Sequence, residues 1–390
     1  MAVSATLAAH QVVEERRRAG LPVLPMSFGQ AGVPVHPLLL EALAEAGGRN
    51  GYGPVAGDPA LREAAAGYWT RRGLPTEPEQ VLAGPGSKAL LYASLHAIGG
   101  NVVLPRPSWV SYAQQAALLG HESRQVLIHP DEGGVPNAGL VPPDARAMVM
   151  TLPDNPTGRI ASADTVRAAC EEARDKDLVI VSDEIYRDLR YDDEFVSPAQ
   201  FAPERTIVTT GLSKSLALGG WRIGVARFPE GPLFDRALTV AGELWSCPTV
   251  PVQAAAALGF AEPDPLKSYV DKARRLYQRI NLAVTDRFTT AGAVVAKPQA
   301  AFYSYPDLSQ LVEGAAPEVA RRLLEEHGLA LLPGTAFGEA PDSLRFRVAT
   351  GQLTGETDEQ RREALESADP LALPWIAGAL DRLTEILGAL

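Results

Sequence analysis

Four short apolar runs punctuate the middle of the chain: NVVLP (101–105), AMVMTLP (147–153), LVIVSDE (178–184) and TIVTTG (206–211). Each is too short for a helix and almost uninterrupted, the signature of a strand buried on both faces. Between two of them, ADTVRAACEEARDKD (163–177) carries its apolar residues at helical spacing. Strands alternating with helices specify a largely parallel sheet covered on both sides. From residue 266 onward Leu266, Val270, Ala273, Tyr277, Ile280, Val284 and Phe288 recur at steps of three and four. That pattern predicts one long amphipathic helix leading into a second domain.

With 390 residues, the chain exceeds what one small core serves and fits a two-domain subunit. The expected fold class is α/β. A large domain on a mostly parallel central sheet spans 46–265. A smaller α+β domain combines the N-terminal segment, 1–45, with the bridging helix and C-terminal segment, 266–390. A net charge of −11 argues against nucleic acid or an anionic membrane as partner. The two cysteines, Cys170 and Cys247, make no disulfide framework, and no His or Cys pair has metal-ligand spacing. The N-terminal stretch lacks the order of a signal peptide, and no run approaches a membrane span. The expectation is a cytoplasmic protein.

Ligands of open parallel sheets bind beyond the carboxyl ends of the strands. The residues just past each apolar run are therefore informative. After AMVMTLP comes DNPTG, with Asn155; after LVIVS comes DEIY, with Asp183 and Tyr186; after TIVTT comes GLSK, with Lys214. Each has an ordinary reading alone: a helix cap for Asp183, turn chemistry for Asn155, core for Tyr186, a solvated helix for Lys214. Their convergence on one sheet edge points to a site. Lys214 is set among small and apolar residues in GLSKSLALGGWRIG (211–224). Burial there favours the neutral, nucleophilic amine. In GPGSKALLYASLHAIGG (84–100), glycines lead into a helix whose N-terminus, with Gly86, Ser87 and Lys88, suits a phosphate. Trp109 and Tyr112 of PSWVSY offer flat faces for stacking.

A phosphate cradle, a stacking aromatic, an acid for a ring nitrogen and an amine-bearing lysine suit pyridoxal 5'-phosphate. The chain resembles the fold-type I, class I/II (aspartate aminotransferase-like) family of pyridoxal-phosphate enzymes. The segment from Gly211 to Gly224 fits that family's lysine-site pattern. NPTG, SDEIY and GWRIG occur in its order, and the likeness runs from MSFGQAG (26–32) to LRFRVAT (344–350). The resemblance implies an aminotransferase that moves an amino group between an α-amino acid and a 2-oxo acid. Lys214 would form the internal aldimine and shuttle the proton. Asp183 would keep the ring nitrogen protonated, and Tyr186 and Asn155 would bond the ring's phenolic oxygen. Trp109 would stack on the ring. Gly86, Ser87, Lys88, Ser213 and Arg222 would lie at the phosphate. Tyr52 would reach the phosphate of a neighbouring subunit, so the active unit would be a homodimer. Arg345 would clamp the substrate α-carboxylate beside Gly29 and Asn155. Arg347 competes with it, since strand alternation puts both on one face.

Departures from the family pattern are Gly211, where many relatives carry serine, and Ala300 in PQAAFY (298–303), where many carry glycine; the added methyl is expected to narrow the pocket. No second basic residue suits a distal carboxylate, His96 being a weak candidate. Two other readings compete. The same cofactor would serve a lyase, cyclase or oxidase acting on amino acids in specialised metabolism. A pyridoxal-phosphate-binding transcriptional regulator would need a DNA-binding domain ahead of the fold, for which residues before 26 leave no room.

Overall fold

The computed structural model describes residues 5–128, 132–192 and 194–390. Twelve strands lie in it: β1 (Leu24–Pro25), β2 (Val81–Gly84), β3 (Asn101–Arg106), β4 (Ser123–Leu127), β5 (Ala145–Thr151), β6 (Val179–Asp183), β7 (Thr206–Gly211), β8 (Gly224–Arg227), β9 (Tyr303–Ser304), β10 (Leu329–Ala330), β11 (Leu332–Pro333) and β12 (Phe346–Ala349). Seven form the central sheet, in the order β2-β8-β7-β6-β5-β3-β4. Only β8 opposes its neighbours; the other ladders are parallel.

Strand β5 shows why the apolar runs are unbroken. Met148 and Met150 pack under the Ala163–Asp175 helix with Val166 and Cys170. Ala147 and Val149, pointing the other way, pack with Leu91 and Leu95 of the Ser87–Ile98 helix. Both faces are covered, so neither alternation position is left polar. The four expected strands and the 163–177 helix are found within one or two residues of their sequence bounds. The short strands β2 and β8 carried no such signal. They owe their place to pairing, Gly84 with Gly224 and Gly211 with Gly224.

The long helix runs from Asp264 to Ala291. It buries Leu266, Ala273, Tyr277, Ile280, Val284 and Phe288, with Val270 partly covered, and packs against the Pro374–Gly388 helix. Beyond it β9, β11 and β12 form a three-stranded antiparallel sheet. The N-terminal segment joins this end of the molecule: β1 pairs with β10, Leu24 opposite Leu329.

Candidate active site

The carboxyl ends of β2, β5, β6 and β7 open onto a cavity of ≈ 680 Å³. Lys214 leaves the turn after β7 and donates from Nζ to the carbonyl of Gly29 at 2.6 Å. Burial, reinforced by the Arg347 guanidinium, pushes its ammonium down to about 8. Asp183 closes β6 and is buried. Burial pushes its carboxyl up to about 6, and a hydrogen bond from Tyr112 opposes the shift. The Tyr112 hydroxyl donates to Asp183 Oδ2 at 2.9 Å and lies 2.9 Å from Thr151 Oγ1. Tyr112 therefore orients the acid, which differs from the stacking role its aromatic ring suggested. Trp109 stands edge-on to it, ring centroids 5.3 Å apart, and lines the cavity.

Gly86 caps the Ser87–Ile98 helix with φ 89°. A Cβ there would fall 2.4 Å from Arg222 Nη2, and a Cβ on Gly224 would fall 2.6 Å from the Ser87 amide nitrogen. Two glycines thus bring Arg222, β8 and a helix N-terminus together, the setting an anion needs. Ser87, Lys88, Ser213 and Arg222 line this end, where Lys88 and Arg222 are exposed. Gly211 is explained by the same packing: a Cβ would meet the Ile223 carbonyl at 3.0 Å.

Asn155 and Tyr186 line the cavity as well, both buried. The Tyr186 hydroxyl lies 2.9 Å from that of Tyr303, which donates to the Gly29 carbonyl at 3.4 Å. Tyr303, the last residue of PQAAFY, carries no signal in sequence beyond its aromatic ring. Gly29 is required by it, since a Cβ would sit 2.1 Å from its hydroxyl. Ala300 is fully buried and absent from the cavity lining. Its amide donates to the Gly158 carbonyl, so its methyl does not narrow the pocket. His96 is exposed on its helix, away from the cavity. Tyr52 is 94% exposed and lies outside this chain's cavity.

The arginine expectation is corrected. Arg347, 1% exposed, reaches the cavity; Arg345 does not. Arg347 sits in β12 opposite Leu332, its guanidinium 5.0 Å above the Tyr303 ring and 5.1 Å from that of Phe337. It donates from Nη1 to Asn155 Oδ1 at 3.1 Å and from Nη2 to the Ser27 carbonyl at 2.7 Å. Arg345 lies just before the strand, in an isolated bridge to Asp307. Its half-exposed side chain pairs with Asp307 and Glu339, both at 3.5 Å. Alternation gave both arginines one face; the end of the ladder separates them. The N-terminal helix, Ala5–Arg18, also reaches the cavity through Thr6, Leu7 and His10. The His10 ring stacks on Phe28, centroids 4.3 Å apart and planes 16° apart. No local pattern announced that wall.

The family profile for aminotransferase class I and II matches residues 26–367. The aspartate/prephenate aminotransferase of Thermus thermophilus is 33% identical over 376 residues, 94% of this chain and 95% of that protein. The chain belongs to the class I and II aminotransferase family. The aspartate aminotransferase of Geobacillus stearothermophilus is 33% identical over 382 residues, covering 92% of this chain and 95% of its own. The structure of aspartate aminotransferase from Thermus thermophilus with maleate superposes with a TM-score of 0.87 at 30% identity, over 99% of this chain and 97% of that one. Members of this family depend on pyridoxal phosphate, and this aminotransferase has its lysine, acid and arginine on one cavity. Among the described residues, no helix is long and apolar enough to cross a membrane.

Proposed function

We propose that the aminotransferase holds pyridoxal 5'-phosphate in this cavity and binds its amino-acid substrate through Arg347. One observation carries the reading. Arg347 is a buried cation with no ion pair among the described residues, and its Nε has no hydrogen-bond partner. A buried guanidinium with a spare donor suits a carboxylate, which accepts its planar fork. The residues also fit the cofactor. Asp183 is a buried acid held by Tyr112 and Thr209, as a cationic ring nitrogen requires. Gly86 and Gly224 leave the room at the helix N-terminus that side chains would fill. Ser87, Lys88, Ser213 and Arg222 would hold the phosphate, Trp109 would cover the ring, and Asn155 and Tyr186 would bond its phenolic oxygen. Bound there, pyridoxal phosphate supplies an aldehyde for imine formation and a ring that withdraws electrons from the substrate α-carbon.

The chain's own groups supply the rest. Lys214, its ammonium destabilised by burial and by Arg347, loses its proton far more readily than an exposed lysine and can take and return the α-proton. Arg347 fixes the α-carboxylate, and Asn155 and the Ser27 carbonyl hold that guanidinium in place. The exposed phosphate end, with Tyr52 on the surface, supports a homodimer in which Tyr52 completes the neighbour's site. Division into 1–45, 46–265 and 266–390 is supported by the β1–β10 pairing. Two unpaired cysteines are consistent with the reducing cytoplasm. Borohydride reduction of the holoenzyme should fix the cofactor on Lys214, as read by peptide mass spectrometry, and Lys214→Ala should abolish amino transfer. Recovery of the label on Lys88 would overturn the assignment.

A further inference from the structure

Tyr186 and Tyr303 meet on the cavity wall with their hydroxyl oxygens 2.9 Å apart. Both are buried, and among the described residues the Tyr186 hydroxyl has no other hydrogen-bond partner. Each hydroxyl carries one proton. The proton between the two oxygens therefore comes from one tyrosine or the other, and the choice decides what Tyr186 offers a ligand. If Tyr186 donates to Tyr303, its oxygen meets the cavity only as an acceptor. The phenolic oxygen of pyridoxal phosphate, an acceptor when ionised, then finds no donor there. If Tyr303 donates to Tyr186, the Tyr186 proton is free to point into the cavity.

The surroundings favour the second arrangement. The donation from Tyr303 to the Gly29 carbonyl is long, 3.4 Å, and competes with Lys214, which reaches the same oxygen at 2.6 Å. Gly29 is half-buried, so water can serve its carbonyl when Lys214 leaves it. Charge separates the two hydroxyls as well. Burial pushes that of Tyr186 well above its ordinary value, and the Asp183 carboxylate adds to the rise. Burial also raises that of Tyr303, but there the Arg347 guanidinium, 5.0 Å from the ring centroid, is the main opposing influence. The remaining charge facing the pair is Lys214, its Nζ 5.7 Å from the Tyr186 ring centroid. A nearby cation makes a hydroxyl more acidic and a better donor. A donor to the Tyr186 oxygen also strengthens the bond that Tyr186 itself gives, because hydrogen bonds in series polarise one another.

We propose that Tyr303 is a positioning residue for Tyr186: its hydroxyl donates to the Tyr186 oxygen and commits the Tyr186 proton to the phenolic oxygen of pyridoxal phosphate. This rests on the reading of the cofactor site given above.

The test is a pH titration of the absorbance of the purified holoenzyme. With pyridoxal phosphate bonded to Lys214, the spectrum changes as the nitrogen joining them loses its proton. A donor at the phenolic oxygen withdraws negative charge from beside that nitrogen and lowers its proton affinity, so loss of the donor moves the midpoint up. Tyr303→Phe keeps the ring beside Arg347 and deletes the hydroxyl. Its midpoint should rise by about 0.3–1 unit, the range of one neutral hydrogen bond. In Tyr186→Phe the rise should be larger. Adding Tyr303→Phe to that variant should move the midpoint no further, because Tyr303 acts only through Tyr186. An unmoved midpoint in Tyr303→Phe would overturn the proposal. A lowered one would do so by showing that Tyr186 gives its proton to Tyr303. A full second rise in the double variant would also overturn it, by assigning the effect of Tyr303 to Arg347 or to packing. If Tyr186→Phe itself left the midpoint of a fully loaded holoenzyme unchanged, the placement of the phenolic oxygen at Tyr186 would fall, and the premise with it.

Discussion

Arg347 and Asn155 are 192 positions apart in sequence, yet the guanidinium donates to the amide oxygen at 3.1 Å. This contact ties β12 of the C-terminal sheet to the turn after β5 of the central one. The group assigned to the substrate and a group assigned to the cofactor are thereby held as one unit, and among the described residues no carboxylate pairs with the arginine.

The two neighbouring arginines should separate cleanly by mutation. Removing one partner of a buried, charge-assisted contact typically costs about 2–5 kcal/mol. Arg347→Ala should weaken amino-acid binding at least about tenfold while leaving the cofactor spectrum in place. Arg345→Ala should remove only a half-exposed pairing with Asp307 and Glu339, worth about 1 kcal/mol or less. Amino-acid titration of each holoenzyme checks this. An affinity loss in Arg345→Ala alone would return the carboxylate clamp to Arg345.

Tyr112→Phe keeps the ring and deletes the hydroxyl that donates to Asp183. A hydrogen bond to a charged group is worth about 1.5–3 kcal/mol. Without it the carboxyl should titrate above about 6, because the bond opposes the effect of burial. Turnover should fall about tenfold or more, with KM little changed, since Tyr112 faces the acid. Unaltered kcat would mean that Thr209 and the backbone suffice to hold Asp183.

Gly224→Ala tests the anion cradle. The new Cβ would meet the Ser87 amide nitrogen at 2.6 Å and the Gly86 carbonyl carbon at 2.8 Å. These are backbone atoms, so the helix N-terminus must move. Cofactor affinity should drop severalfold or more, and overpacking should cost about 1–3 kcal/mol in stability. Equilibrium dialysis of pyridoxal phosphate and a urea melt measure the two effects. Normal affinity would show that the phosphate does not use this helix end.

The apoenzyme should report the cost of Lys214. Below pH 8 the lysine is charged folded and unfolded, and burial penalises the folded form in full. Between about 8 and 10.5 it is neutral when folded and charged when unfolded, so the penalty declines. Above 10.5 it is gone. Lys214→Met should therefore stabilise the apoenzyme by about 1–3 kcal/mol at pH 7. That gain should fade as pH rises through 8 toward 10.5. Urea midpoints across this range decide. A variant less stable at pH 7 would show that the hydrogen bond to Gly29 outweighs the burial of charge.

Local patterns were enough for much of this molecule. Unbroken apolar runs specify strands buried on both faces, because no polar position survives between two helical layers. The residue after such a run is at a strand's carboxyl end, so Asn155, Asp183 and Lys214 could be gathered on one edge from sequence alone. Gly86, Ser87 and Lys88 could be put at a helix start for the same local reason. The features that sequence could not decide depend on surfaces distant along the chain. A period of two cannot distinguish Arg345 from Arg347; the pairing of Arg347 with Leu332 does, and two residues shift a side chain by about 6.6 Å along a strand. Tyr112 takes its role from Asp183, 71 positions later, and Tyr303 from Tyr186, 117 positions earlier. The wall of Leu7, His10 and Phe28 exists only because the N-terminal helix docks at the cavity. Docking of that kind is fixed by the burial of whole faces, which no local spacing records.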